Sequence, residues 1–290
     1  MAADHPTRCA NNLAVNRHYS DNSRGRPQAF PFYFSVGTNY NQRMDTSTAR
    51  QLVELNRQFY ADFGKNFSAT RQRIQPGVRK ILSGLKGTER ILDLGCGNGE
   101  LARTLAQTGF HGTYLGLDFS LPLLADAVSQ PEGFSAAFRA ADLTTLTVDE
   151  GPTTEAVFVL HPSSFDMIFA FAVLHHIPGI EMRRGILQKV HSLLEPDGKF
   201  IHSNWQFLNS EKLKARILPW SAADLSAADV DEGDYLLDWR SGGLGLRYAH
   251  HFSEQELSQL AAETGFRVVG SFFSDGESGR LGLYQIWEAG

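Results

Sequence analysis

The sequence predicts an α/β fold, a mostly parallel sheet with helices on both faces and a helical cap in front of it. Three observations predict it. Short apolar runs (RILDLG, GTYLGLD, FDMIFAFAVL) alternate with helical segments from residue 90 onward, and strands alternating with helices call for parallel crossovers. The first run opens into a loop with glycine at positions 95, 97 and 99. The last two runs, RVVGSFFSDG and RLGLYQIW, leave no room for a crossover and predict an antiparallel hairpin.

The elements follow in order. Residues 1–44 are polar, rich in Asn, Arg and Ser, and read as a flexible arm. Residues 45–88 read as an N-terminal helical cap. There DTSTARQLVELNRQFYADFGKNF opens on capping residues and spaces Leu52, Leu55, Phe59, Phe63 and Phe67 at helical intervals, and PGVRKILSGL follows with Pro76 in its first turn. The main domain spans 89–290, with helices expected near Asn98, Ser120 and Gly179. Segment 143–164 is longer than a connection needs and reads as an insertion. After the strand KFIHSNW, residues 206–248 have weak periodicity and many Asp and Gly, and read as a lid or insertion. FSEQELSQLAAETGF places Ser253 as N-cap, Glu256 at the capping-box position and Gly265 at the close.

A chain of 290 residues, 42% hydrophobic, can bury the core of one large domain. No run approaches the ~20 apolar residues a bilayer span needs. The first residues lack the basic-then-apolar pattern of a secretory signal. Cys9 and Cys96 are the only cysteines, which excludes a disulfide framework or a cysteine-rich zinc site and suits a reducing cytoplasm. A net charge of −5 gives no global attraction to nucleic acid, so an RNA substrate would require a local basic patch or a helper protein.

The glycine loop carries the first functional signal. A strand-loop-helix unit binds ligands beyond the carboxyl end of its strand. Gly95 and Gly97 let the backbone turn tightly and let a ligand approach without meeting a Cβ atom. A dinucleotide loop wants a small residue beneath its pyrophosphate, yet Gly97 is followed by Asn98, Gly99 and Glu100. A carboxylate there suits phosphate poorly. With Asp93 at the strand end, the corner favours a cationic, phosphate-free ligand such as S-adenosylmethionine. Asp118 closes the second strand 23 residues after Gly95, where a carboxylate takes ribose hydroxyls, and Asp142 follows the next strand, where it could accept from an adenine amino group.

LDLGCGNGE, LGLDFS, AADL, FDMIFAFAVLHHI and LLEPDGKF together make residues 89–205 resemble the class I S-adenosylmethionine-dependent methyltransferases. The resemblance implies a Rossmann-like seven-stranded sheet with an antiparallel last strand. It implies Asp93, Gly95 and Gly97 at the methionine end, Asp118 at the ribose and Asp142 at the adenine, with Cys96, Phe119, Leu143 and Phe171 also binding the cofactor.

Outside the core, YADFGKNFSATR, FAVLHHIPGIEMRR and LRYAHHFSEQEL are similar to the tRNA wobble-uridine carboxymethyl methyltransferases, which include the methyltransferase half of the AlkB-homologue wobble enzymes. That similarity implies esterification of a carboxymethyl group on the tRNA anticodon uridine and a small zinc-binding activator protein as partner. It implies cofactor contact for Tyr60 and acceptor-side roles for Arg71 and His176. A carboxylate acceptor is ionised at pH 7 and needs no general base. Arg71 and Arg247 could clamp it, with His176 as a positioning donor. The alternatives are a small-molecule O- or N-methyltransferase, for which a histidine would act as base, and a binding module that keeps the cofactor fold without catalysis. His175 and His176, as successive residues after a strand, are expected on opposite faces and are not read as a metal pair; His250 and His251 are read as structural. Of Trp205, Phe207, Trp220, Tyr235 and Trp239, one or two are expected to touch substrate and the rest to pack.

Overall fold

The computed structural model describes residues 44–69, 73–127, 134–149 and 159–290. All but the last residue of the expected arm lies outside these, as do Arg71 and positions 150–158 of the expected insertion.

Helix α1 (Thr46–Ala69) begins where Asp45 caps it, its carboxylate accepting from the backbone N–H of Ser47 and Thr48 at 2.7 and 2.8 Å. α2 (Pro76–Leu82) starts on proline, whose missing N–H costs nothing in a first turn. The alternation then runs β1 (Arg90–Leu94), α3 (Glu100–Gln107), β2 (Thr113–Asp118), α4 (Leu121–Ala127), β3 (Ala136–Ala140), β4 (Phe165–Phe171), α5 (Ile180–Leu193) and β5 (Leu194–Trp205). After α6 (Glu211–Lys214) come β6 (Ile217–Leu218), β7 (Asp234–Trp239), β8 (Gly245–His250), α7 (Glu254–Glu263), β9 (Phe266–Ser274) and β10 (Gly282–Ala289).

One sheet has seven strands in the order β3-β2-β1-β4-β5-β10-β9, all parallel except β10, which runs antiparallel to both β5 and β9. The apolar runs are continuous rather than alternating because both faces are covered. In β1, Ile91 enters one core cluster with Leu105 and Tyr114, while Leu92 and Leu94 enter the other with Leu187 and Val190. β4 divides in the same way, Phe169 to one face and Ile168 and Ala170 to the other. Strand order reverses direction at β1 and β4, which opens a crevice beyond their carboxyl ends.

β6, β7 and β8 form a separate three-stranded antiparallel sheet out of the weakly periodic region. It packs against α1: Leu52 shares a cluster with Val230 and Tyr248, while Leu237 and Ala249 pack on Phe207. Periodicity is weak there because β6 has two residues and β7 is covered on both sides, with Leu236 and Leu237 both wholly buried.

At α7 the capping box is half made. Ser253 Oγ accepts from the Glu256 N–H at 3.1 Å, but the Glu256 carboxylate turns to His250 Nε2 at 2.8 Å. His175 and His176 also depart from expectation. β4 stops at Phe171 and both histidines lie on a 3-10 turn, so their rings are neighbours with centroids 4.3 Å apart instead of facing opposite ways. Among the described residues no helix is long and apolar enough to cross a membrane.

Candidate functional site

The chain leaves β1 through three left-handed glycines, Gly95, Gly97 and Gly99, with φ of 71°, 56° and 74°. The N–H groups of Gly95 and Cys96 both bond the Leu117 carbonyl, at 2.7 and 3.0 Å, which ties the loop to β2. A Cβ on Gly95 would lie 2.5 Å from Val173 Cγ2, whereas one on Gly97 would meet nothing within 4 Å. Packing therefore demands glycine at 95, and at 97 the backbone faces open space. Cys96 is buried, and burial together with the charges of Asp93 and Asp118 pushes its thiol up, which rules it out as a nucleophile. Glu100 begins α3 and pairs with Arg103 at 2.9 Å, beside the loop.

The three acids stand at the ends of β1, β2 and β3. Asp93 is 4% exposed and accepts from Tyr114 Oη at 2.5 Å; burial, reinforced by the charge of Asp118 and opposed by that bond, pushes its carboxyl up to about 7. Asp118 is also raised by burial, while the Ser120 and Gly97 N–H groups, at 2.8 and 2.9 Å, favour its ionised form. Asp142 spends one oxygen on the Thr144 N–H and hydroxyl, at 2.9 and 2.8 Å, and the other on Arg57 of α1 at 2.5 Å.

These groups line one cavity of ≈ 460 Å³ at the carboxyl ends of the central strands. Gly95, Cys96 and Gly97 form its floor with Asp93 and Asp118. Phe119, Asp142, Leu143 and Phe171 also line it, and Tyr60 of α1 meets Phe119 edge-on with centroids 5.8 Å apart. His176, Trp205 and Arg247 line the same cavity.

His176 Nδ1 lies 3.0 Å from the Tyr248 carbonyl and Nε2 lies 3.2 Å from Tyr60 Oη. A carbonyl only accepts, so Nδ1 carries the proton, and in the neutral ring Nε2 accepts from Tyr60. His175 is 2% exposed and its Nδ1 accepts from the Trp205 N–H at 3.3 Å. Arg247, 6% exposed, packs its guanidinium against the rings of Trp205, Phe59 and Trp239 at 4.7, 5.3 and 6.0 Å. Trp205 thus reaches the cavity, and Trp239 stands behind Arg247. Phe207 and Tyr235 pack in the core of the small sheet and Trp220 beside Val230 and Tyr248. His250 is 1% exposed and held between Asp234 and Glu256 at 2.6 and 2.8 Å.

Asn56 and Arg57 also line the cavity and escaped the sequence reading. Val53, Asn56, Arg57 and Tyr60 follow i, i+3, i+4, i+7 spacing, a second stripe on α1 beside the apolar one, and that spacing was the available signal.

The model of a methyltransferase domain family matches residues 60–271. A protein of Encephalitozoon cuniculi described as a candidate methyltransferase is 30% identical over 212 residues, covering 73% of this chain and 86% of that protein. A ubiquinone biosynthesis O-methyltransferase of Actinobacillus pleuropneumoniae is 30% identical over 131 residues, 43% of this chain and 49% of that enzyme. A tRNA (carboxymethyluridine(34)-5-O)-methyltransferase of Macaca fascicularis is 27% identical over 174 residues, 59% of this chain but only 23% of that enzyme. Among solved structures, an S-adenosylmethionine-dependent methyltransferase of Methanosarcina mazei shares the fold at a TM-score of 0.56 and 22% identity, over 74% of this chain and 98% of that one. With its crevice at the reversal of strand order and a family match across most of its length, the chain belongs to the methyltransferase-domain family.

Proposed function

We propose that this protein is an S-adenosylmethionine-dependent methyltransferase whose acceptor is a carboxylate, the carboxymethyl group of a tRNA wobble uridine. The cavity residues suit the cofactor. A buried carboxylate at Asp93 complements its ammonium and sulfonium charges, and the open backbone at Gly97 admits its methionine end. Asp118 keeps lone pairs for ribose hydroxyls. Asp142 and Leu143 line the same cavity and would meet the adenine, with Tyr60, Phe119 and Phe171 as aromatic walls. When bound, the cofactor supplies an electrophilic methyl group on sulfur.

The observation that carries the acceptor reading is Arg247. Its guanidinium lines the cavity and packs against the ring of Trp205, and a guanidinium can hold a carboxylate through two parallel hydrogen bonds. An ionised carboxylate requires alignment more than proton removal. Arg247 would fix it, Trp205 would flank the attached base, and His176 would donate to it only as the imidazolium, since the neutral ring offers a lone pair at Nε2. Arg71 remains a proposed second clamp.

His176 Nε2, which accepts from Tyr60 in the neutral ring, favours a second reading, a small-molecule O-methyltransferase in which a substrate hydroxyl displaces that bond and gives its proton to His176. The ubiquinone-type relative makes it concrete. Methyl transfer from labelled cofactor, run on total tRNA and on a small-molecule extract, separates the two. The ester reading expects label on tRNA that mild base removes. Base-stable label, or label in the extract alone, would refute it.

A further inference from the structure

We propose that Asn56 is a positioning residue that sets the orientation and tautomer of His176, with Arg183 holding the far side of the same turn. The proposal rests on the placement of His176 on the acceptor side of the cavity.

Asn56 is 4% exposed on α1 and pairs its whole amide with the backbone of Tyr248 on β8. Its Oδ1 accepts from the Tyr248 N–H at 2.9 Å and its Nδ2 donates to the Tyr248 carbonyl at 3.2 Å. The pairing leaves no freedom to flip, because the Tyr248 N–H must meet an oxygen. The same Nδ2 lies 3.3 Å from the carbonyl of His176 itself. One amide therefore grips the two backbone segments that flank the imidazole. The Tyr248 carbonyl, held in this way, is the group that receives His176 Nδ1 at 3.0 Å. Proton placement on Nδ1 and the lone pair on Nε2 that accepts from Tyr60 both follow from where Asn56 fixes that oxygen.

Arg183 completes the frame from α5. It is 1% exposed; its Nε donates to the Ile177 carbonyl at 2.9 Å and its other arm to Tyr248 Oη, also at 2.9 Å. Asp234 and Glu256 balance its charge at 3.5 and 3.7 Å. Residue 177 and the ring of Tyr248 are thus joined across the turn that carries His176. Two elements distant in sequence, α1 and β8, and the adjoining α5 converge on the turn that carries this imidazole, a heavy investment of buried polar groups for a side chain with no role.

Asn56→Asp tests this, because it keeps the shape while turning a donor into an acceptor that faces two carbonyl oxygens. The ring nitrogens of His176, read by ¹⁵N NMR of the full-length protein at a pH where the imidazole is neutral, are expected to show the Nδ1–H pattern in the wild type and to lose it in the variant. With total tRNA as acceptor, kcat is expected to fall by about 100-fold, the scale of a 1 Å misplacement, with cofactor affinity by calorimetry unchanged. In a His176→Ala background the Asn56 substitution is expected to cost nothing further, whereas a general structural role would add its loss in full. Arg183→Lys keeps a cation beside Asp234 and loses the Ile177 donor, so it supplies a second variant if Asn56→Asp does not fold, with the same non-additivity expected. Unchanged ring shifts, or additive losses in the cycle, would overturn the proposal. Absence of any label on tRNA from the wild-type protein would remove the acceptor reading and leave the ring-shift result to decide this one.

Discussion

Tyr60 and His176, 116 positions apart, meet through a hydrogen bond of 3.2 Å with their rings edge to face. The contact joins α1 to the turn after β4, and both residues line the cavity. Tyr60 also meets Phe119, so one side chain touches both the proposed cofactor wall and the proposed acceptor wall.

Tyr60→Phe keeps the ring and removes one neutral hydrogen bond. A net loss near 1 kcal/mol corresponds to a rate lowered about fivefold, with the fold retained. Steady-state kinetics beside circular dichroism would check it. A thousandfold loss would place the hydroxyl in the chemistry itself.

Asp93 should make cofactor binding depend on pH. Its carboxyl titrates at about 7 in the free protein because burial disfavours the charge. A cation beside it favours the ionised form, so binding below that pH must release a proton. Affinity should therefore be full above about pH 8 and weaken up to tenfold per unit below about pH 7. The free fold responds in the opposite sense: a raised carboxyl contributes stability at low pH that is lost as pH climbs from about 4 to 7. Calorimetry in two buffers of different ionisation heat would detect the proton, and Asp93→Asn should flatten the profile. A profile already flat in the wild type would mean that Asp93 does not meet the cation.

The two loop glycines should separate stability from binding. Both hold positive φ, which costs an alanine roughly 1–2 kcal/mol. Gly95→Ala must also displace Val173 and should lower the melting temperature further than Gly97→Ala. Gly97→Ala should stay folded and lose cofactor affinity, because its methyl group enters the space reserved for ligand. Equal affinity in that variant would move the ligand away from the loop.

His202 should weaken the fold in acid. It is wholly buried on β5, and burial lowers its pKa from 6.5 to about 3. The unfolded chain takes up a proton below about pH 6.5 that the folded chain refuses, so stability is complete above that pH. It is lost on the way down to about pH 3, at up to ~1.4 kcal/mol per unit. Urea titrations between about pH 4 and 7 would show a shallower acid limb for His202→Gln. An unchanged limb would assign the acid sensitivity to other groups.

The sheet, the glycine loop and the strand-end acids were legible in the sequence because each is a local pattern. A two-face apolar strand, a run of left-handed backbone positions that favour glycine and a carboxylate at a strand terminus are all written in a few consecutive residues. Tertiary structure alone decided the rest. Weakly periodic residues became an ordered second sheet, whose Tyr248 packs with Leu52 of α1 in a cluster that no local pattern announces. Glu256 left its capping role for His250 because the buried histidine offered a stronger partner than an N–H at a helix end. Arg57 reached Asp142, and Asn56 came to hold the backbone around His176, through separations of 85 to 192 residues. Hydrogen bonds across such distances leave no trace in spacing or composition, because the partners are set by how α1 lies across the crevice.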